Sequence, residues 1–305
     1  MLRHDVERHV ALQRASGFIF NDQGRVLKSY ADFATAKGEC FVRVQTVLDW
    51  SRHAASLQRR RTLLLTVRRF ALAMSAEEPI HEVPSADLLP RAKRARQKPY
   101  IYSDDEIAAL VEAAEKSATR GCPVPGQYPT LFGLLAASGM RVSEALALDL
   151  GDITADGLLI RAAKRKGRRL LPLHPTTDDA LQRHLAARRR VPAKTDAFFL
   201  ADGGGRLAYG VALAVFHRML DQIGLAHAAA GGRNPRIHDL RHSFAVRSLA
   251  ACGSDRSTIA QHMVGLSTYL GHVNISDTYW YLEGTPALMR QIADRGEAVC
   301  TGGGQ

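Results

Sequence analysis

Apolar residues at helical spacing dominate the first 83 residues. Phe41-Val42-Arg43-Val44-Gln45-Thr46-Val47-Leu48-Asp49-Trp50 places its apolar side chains on one helical face. Leu57 to Met74 repeats the pattern around Arg59, Arg60, Arg61, Arg68 and Arg69. Those arginines could meet phosphates from the outer faces, or serve only as a solvated helix surface. The periodicity stops at residues 84–100, where Pro84, Pro90 and Pro99 bracket the basic run Arg91 to Lys98. It resumes after Ser103-Asp104-Asp105-Glu106, a capping-box pattern that leads into Ile107, Leu110, Val111 and Ala114. A helix is expected over Pro129–Ala137, a turn at Gly139 and a new helix near Val142. Leu158-Leu159-Ile160 and Leu170-Leu171-Pro172-Leu173 predict two short strands joined by the basic turn Lys164-Arg165-Lys166-Gly167. Beyond Thr176 the spacing is helical again, with a brief strand at Phe198-Phe199-Leu200. Thr301–Gln305 is a glycine-rich tail, and no internal repeat is present.

The pattern predicts a mainly α (α+β) chain with a small antiparallel sheet in its second half. The organisation expected is a helical domain over 1–83, a basic linker over 84–100, a second domain over 101–295 and a flexible tail over 296–305. A length of 305 residues agrees with two domains.

Composition sharpens this picture in three ways. Hydrophobic residues form 46% of the chain, enough for true cores and too many for a disordered one. The net charge is +11, and it is uneven: residues 1–100 hold 18 Lys and Arg against 10 Asp and Glu, the rest 23 against 20. Such a balance favours a polyanionic partner, though a merely soluble basic protein would show it too. The four cysteines, Cys40, Cys122, Cys252 and Cys300, have no metal-site spacing, which suits free thiols in a reducing cytoplasm. Met1 to Asp5 lead into no apolar signal core, and no stretch approaches the roughly 18 apolar residues of a membrane span. A cytoplasmic protein without membrane association is expected.

The chemistry lies in Arg141, Lys164, His238, Arg241, His272 and Tyr281. Arg141 follows a glycine turn at the start of a helix. His238 and Arg241 are three apart and share one helical face, and His242 lies one turn after His238. Two arginines can grip the non-bridging oxygens of a phosphate and neutralise charge that grows in a transition state. A tyrosine hydroxyl needs its proton removed, or the phosphate polarised, before it attacks. A histidine can serve as that base, and a lysine can protonate the departing oxygen. Each signal alone is weak: a lone His-x-x-Arg is usually a surface pair, Leu-Gly-His often a helix end, and an isolated tyrosine more often core. Their order and context carry the weight.

These strings resemble the tyrosine recombinase (phage integrase-like) family. The likeness covers most of residues 101–285 and rests on Ala137 to Leu146, Lys164 to Leu173, His238 to Phe244 and Leu270 to Tyr281. It implies that Arg141, Arg241 and His272 hold the scissile phosphate, Lys164 is the general acid, His238 a general base and Tyr281 the nucleophile. Glu144 would hold the arginine's helix and charge in place. Lys166 is the alternative acid and Tyr279 the alternative nucleophile. Tyr279 faces about 160° from Tyr281 on a helix, and the nine-residue interval from His272 favours Tyr281. The family further implies a helical core-binding domain at the amino terminus, so that two domains clamp duplex DNA. It also implies a tetramer of identical or companion recombinases on two duplexes, and chemistry with no metal, nucleotide or other cofactor. The string Ser267 to His272, followed by Thr278 to Glu283, looks most like recombinases of transposon-like mobile elements. Arg91, Lys93, Arg94, Arg96 and Lys98 would then track the phosphate backbone without reading sequence.

Three other classes fit less well. A type IB topoisomerase-like enzyme would share the phosphotyrosine, but the short chain and integrase-like strings argue against it. A DNA-binding regulator without catalysis has no need of the full residue set. A metallohydrolase built on His238, His242 and His272 lacks a carboxylate completing an HExxH-like site.

Overall fold

The computed structural model describes residues 1–91, 98–117, 123–161, 168–252 and 256–271, the side chains of 256 and 257 excepted. The chain divides into two compact units, Met1–Arg96 and Gln97–Gln305. No helix among the described residues is long and apolar enough to cross a membrane.

In the first unit four helices, α1 (Leu2–Ala15), α2 (Asn21–Ala36), α3 (Val44–Ser51) and α4 (Leu57–Ser75), enclose a core. Val6 and Val10, Leu27 and Tyr30, Val47 and Trp50, and Leu64, Val67 and Phe70 fill it. Spacings of three and four within each set make one buried stripe per helix, as the periodicity predicts. Helix α3 begins three residues later than the apolar run beginning at Phe41. The reason is a competing set of bonds: Val42 N–H donates to His81 Nδ1 (3.2 Å), Glu82 N–H to the Val42 carbonyl (2.9 Å), and Val44 N–H to a Glu82 oxygen (2.7 Å). The stretch at 41–43 is thereby held extended.

The arginines of α4 divide by role. Arg59 and Arg69 are exposed, whereas Arg61 is buried. Arg61 Nη1 donates to the carbonyls of Ala86 (2.8 Å) and Leu89, and Arg68 Nη1 to that of Pro84 (2.6 Å). Val83 and Leu89 pack on the same core. The first part of the proline-flanked segment is therefore fastened to this unit.

The second unit starts with α5 (Asp104–Lys116), whose capping box is formed as expected: Ser103 accepts from Glu106 N–H, and Glu106 accepts from Ser103 N–H. Helices α6 (Gln127–Ser138) and α7 (Val142–Ala147) follow, then an antiparallel sheet of β1 (Ile153–Thr154), β2 (Gly157–Arg161) and β3 (Arg168–Leu171) in that order. Helices α8 (Pro175–Arg189), α9 (Tyr209–Gln222), α10 (Asp239–Ala250) and α11 (Arg256–Leu270) complete it.

Two strand expectations shift. The second strand runs over 168–171, not 170–173, because Pro172 has no N–H to extend the ladder. Phe198–Leu200 is not a strand; it forms a buried crossing between isolated bridges at Ala197 and Leu200. Phe198 N–H donates to the Leu148 carbonyl (2.9 Å), the Phe199 carbonyl accepts from Leu207 N–H (3.0 Å), and Gln127 donates to the Leu200 carbonyl (2.9 Å) and accepts from Leu200 N–H (2.7 Å). Arg188 likewise serves the carbonyls of Val191, Thr195 and Ala197.

Replacing Arg61 by Met should release the segment at 84–89. Two half-buried carbonyls lose their donor, so the unfolding free energy in urea should fall by about 1–3 kcal/mol. Limited proteolysis of the full chain should cut near Arg91 sooner than in wild type; equal cutting would leave Arg61 without this role.

Candidate active site

The end of α6 sets the geometry. Gly139 closes the helix at φ +59°, donating its N–H to the Leu135 carbonyl (3.0 Å). A Cβ there would lie 2.4 Å from Phe244 Cδ1 and 3.1 Å from Leu270 Cδ2. Only glycine combines that backbone angle with so close an approach of α10 and α11. The turn delivers Arg141 to the residue before α7, with extended backbone.

Glu144, in the first turn of α7, ties this turn together. One oxygen accepts the Arg141 backbone N–H (3.0 Å) and the other accepts Arg141 Nη1 (2.9 Å). The same carboxylate receives a fork from Arg169 on β3, Nη1 at 3.1 Å and Nη2 at 2.9 Å. Its side chain is only 9% exposed. Burial alone would raise this carboxyl's pKa; the Arg169 and Arg141 contacts outweigh burial and hold it below the usual range.

Arg141 Nη2 reaches the Gly271 carbonyl (3.1 Å), and the side chain remains 38% exposed, so a ligand can approach it. Arg241, on α10, is 2% exposed and donates from Nη1 to the Gly139 carbonyl (2.8 Å) and from Nη2 to the Leu270 carbonyl (2.9 Å). Two arginines from elements a hundred residues apart thus converge on the last carbonyls of α6 and α11. Such forks hold a guanidinium plane fixed before any anion arrives.

His238 immediately precedes α10, and its ring meets that of His242 edge to face at 4.9 Å between centroids. The His238 pKa is lowered, by desolvation and then by the Arg241, Arg236 and Arg141 guanidiniums, with Asp239 opposing. His242 is pushed down to about 4, by burial first and then by His238. A neutral imidazole at His238 can accept a proton near neutral pH.

Of the residues singled out from the sequence, Arg141, Glu144, Arg241, His238 and His242 gather here. Lys164, His272 and Tyr281, with the alternatives Lys166 and Tyr279, lie outside the described residues. So do Lys93, Arg94 and Arg96, while Arg91 and Lys98 are described and exposed. Arg169 was not expected in the site. Its signal is a charged residue on the inward face of a strand: it pairs with buried Ile160 and shares its face with buried Leu171. A strand read as beginning at Leu170 hides that alternation.

A mostly helical unit that clusters arginines and a shared glutamate beside a three-stranded sheet is an integrase-type catalytic fold. Residues 101–287 match the model of the phage integrase family. The y4rB protein of Sinorhizobium fredii, named as an integrase/recombinase, is 36% identical over 304 residues, covering 96% of both chains. Tyrosine recombinase XerD of Corynebacterium glutamicum is 27% identical, over 95% of this chain and 88% of that protein. Among solved structures, the Tn1549 transposon integrase in complex with transposon right end DNA is similar at a TM-score of 0.62 and 15% identity. That likeness covers 96% of this chain and 99% of the other. The chain belongs to the phage integrase family, and with it to the tyrosine-type site-specific recombinases.

The buried histidine gives a stability signature. The folded pKa of His242, about 4, lies below the ordinary 6.5, so the unfolded chain takes up the proton first. Its contribution is full above 6.5 and is lost as pH falls towards 4. His184, pushed down to about 4 by burial, loses stability in the same window and is common to both proteins compared. The drop in urea midpoint between pH 7 and pH 5 should therefore be smaller in His242→Gln than in wild type; an equal drop would mean His242 is not held neutral.

Proposed function

We propose that this protein is a site-specific DNA recombinase that cuts and rejoins duplex DNA through a 3′-phosphotyrosine, in the service of a mobile genetic element. The observation that carries the reading is the convergence of Arg141 and Arg241 on the carbonyls of Gly271 and Leu270 at the end of α11, one and two residues before His272 and ten and eleven before Tyr281. Two pre-oriented guanidiniums there suit a phosphate whose charge grows as a fifth oxygen bonds to phosphorus.

The reaction follows from the residue types. The Tyr281 oxygen attacks the scissile phosphorus as His238 accepts the phenolic proton. Arg141, Arg241 and His272 hold the non-bridging oxygens. Lys164 protonates the departing 5′ oxygen, leaving a 3′-phosphotyrosine and a free 5′ hydroxyl. The reverse step, with a 5′ hydroxyl from another strand, joins new partners. The phosphotyrosine keeps the energy of the broken bond, so neither nucleotide nor metal enters the scheme.

Residues 1–83 act in this reading as the helical core-binding domain and 101–295 as the catalytic domain, with 84–100 as the basic linker and 296–305 as a tail. Arg91, Lys93, Arg94, Arg96 and Lys98 contact backbone phosphates. Four protomers, identical or with companion recombinases, pair two recombination sites in the cytoplasm. The likeness to a transposon integrase and to y4rB supports the mobile-element role.

A nicked duplex that lets the 5′ fragment escape traps the intermediate. Wild-type protein should form a covalent adduct mapping to Tyr281. Tyr281→Phe should form none while binding DNA within a few fold; an adduct at Tyr279 would overturn the assignment.

A 5′-bridging sulfur in place of oxygen tests the acid. Sulfur leaves without much protonation, so Lys164→Ala should fail on ordinary DNA and recover on the thio substrate. Arg141→Ala should lose roughly 10²–10³ in rate and recover much less. Rescue of Lys166→Ala, with no defect in Lys164→Ala, would move the role to Lys166.

A further inference from the structure

We infer that Arg169 is a positioning residue for the DNA-cleavage step, acting through Glu144 to set the charge and aim of Arg141. The inference rests on the phosphotyrosine reading and assigns a role within its site.

Arg169 is placed for this task and no other that the described residues offer. Among them, both of its hydrogen bonds go to Glu144, one to each oxygen, and its buried Nε has no partner. It stands opposite Ile160 on the covered face of the sheet, where a cation is costly unless matched. Gly271 is shaped around it: a Cβ at that residue would sit 2.7 Å from Arg169 Nη1. The same glycine's carbonyl receives Arg141 Nη2. Arg169 therefore touches both anchors of Arg141, the carboxylate that holds Nη1 and the residue whose carbonyl holds Nη2.

The electrostatics explain why a second arginine is required. Glu144 fixes Arg141, but a full negative charge beside a phosphate-gripping guanidinium also cancels what the phosphate should feel. With Arg169 bound, the carboxylate's charge is matched from the sheet side. Arg141 keeps its orientation and its net attraction for an anion. Remove Arg169 and the buried carboxylate is left to Arg141 alone. It then either draws Arg141 more tightly to itself or takes up a proton, because burial opposes its charge. Arg169 also lies five residues after Lys164, on the strand that continues from the basic turn. It thus joins the strand following the proposed acid to the arginine that grips the phosphate.

A simple buried ion pair would change stability and the fraction of folded enzyme, not the rate constant of the folded enzyme or its pH dependence. Single-turnover cleavage of the nicked duplex, measured from pH 5.5 to 9, separates the two. Arg169→Met should slow cleavage by roughly tenfold or more at pH 8, less than the roughly 10²–10³ from losing a group on the phosphate itself, with DNA affinity little changed. The ratio of mutant to wild-type rate should rise as pH falls and Glu144 becomes protonated. Arg169→Met combined with Glu144→Gln should cleave faster than Arg169→Met alone, because no unmatched charge remains, and its ratio to Glu144→Gln should be flat with pH. Arg169→Lys, which keeps the charge and loses the fork, should fall between. A wild-type rate in Arg169→Met, a pH-independent ratio, or a double variant no faster than Arg169→Met would each overturn the proposal. One arm needs no reaction: followed by carbon NMR, the Glu144 carboxyl should titrate below the usual range in wild type and above it in Arg169→Met. An unchanged titration refutes the Arg169 role even if Tyr281 traps DNA. Conversely, a shifted titration with no adduct refutes the phosphotyrosine reading and leaves the charge pairing standing.

Discussion

A carboxylate shut away from water must be matched, and the centre of the second unit is arranged around that requirement at Glu144. An unpaired buried charge costs several kcal/mol, so breaking such a pair typically destabilises by about 3–5 kcal/mol. Two arginines answer it from opposite sides, Arg141 at the α6–α7 turn and Arg169 on β3. The sheet, the helical turn and the end of α11 are therefore held in register by charge as well as by apolar packing. A surplus of positive charge is left facing the open side, which is what a phosphate ester requires.

Main-chain carbonyls do the remaining aiming. Those of Gly139, Leu270 and Gly271 are acceptors that cannot change protonation and barely move. A guanidinium fixed to them loses little freedom when an anion binds, so the ordering cost is met during folding and not during catalysis. Both glycines among the three sit at positive φ, and each lies where a side chain would strike the site itself. Their identity is dictated by the crowding of the arginines and the helices that bring them.

Much of this was legible in the sequence, and the exceptions share a cause. In the first unit the helical character, and α3 and α4 in particular, followed from spacing because each of those helices buries one stripe. The α5 cap followed from Ser103 and Glu106, the placing of Arg141 before a helix followed from the turn at Gly139, and the tie between Glu144 and the arginine came only from the family resemblance. What escaped were places where a side chain from far along the chain replaces a local partner. Gln127 takes both backbone groups of Leu200, where a neighbouring strand was expected; Glu82 and His81 hold Val42 and Val44 and so delay α3. Arg61 and Arg68 looked like outer-face cations and are spent on backbone carbonyls of 84–89. Arg169 was hidden by a two-residue error in where its strand begins. Local pattern reports what a segment prefers, and these side chains act on segments other than their own.

The separation along the chain of the groups that meet at the arginines has a consequence for how the protein is made. Arg241 bonds to Gly139, 102 residues earlier, and Arg141 to Gly271, 130 residues later. Contacts of such range close late, because the intervening loop entropy must be overcome before they form. A chain still emerging from the ribosome, or cut short before α11, would possess Arg141, Glu144, Arg169 and Arg241 yet have no carbonyls at 270 and 271 to aim them. For a protein whose chemistry is the breaking of DNA strands, competence is thus withheld until the last described helix has docked.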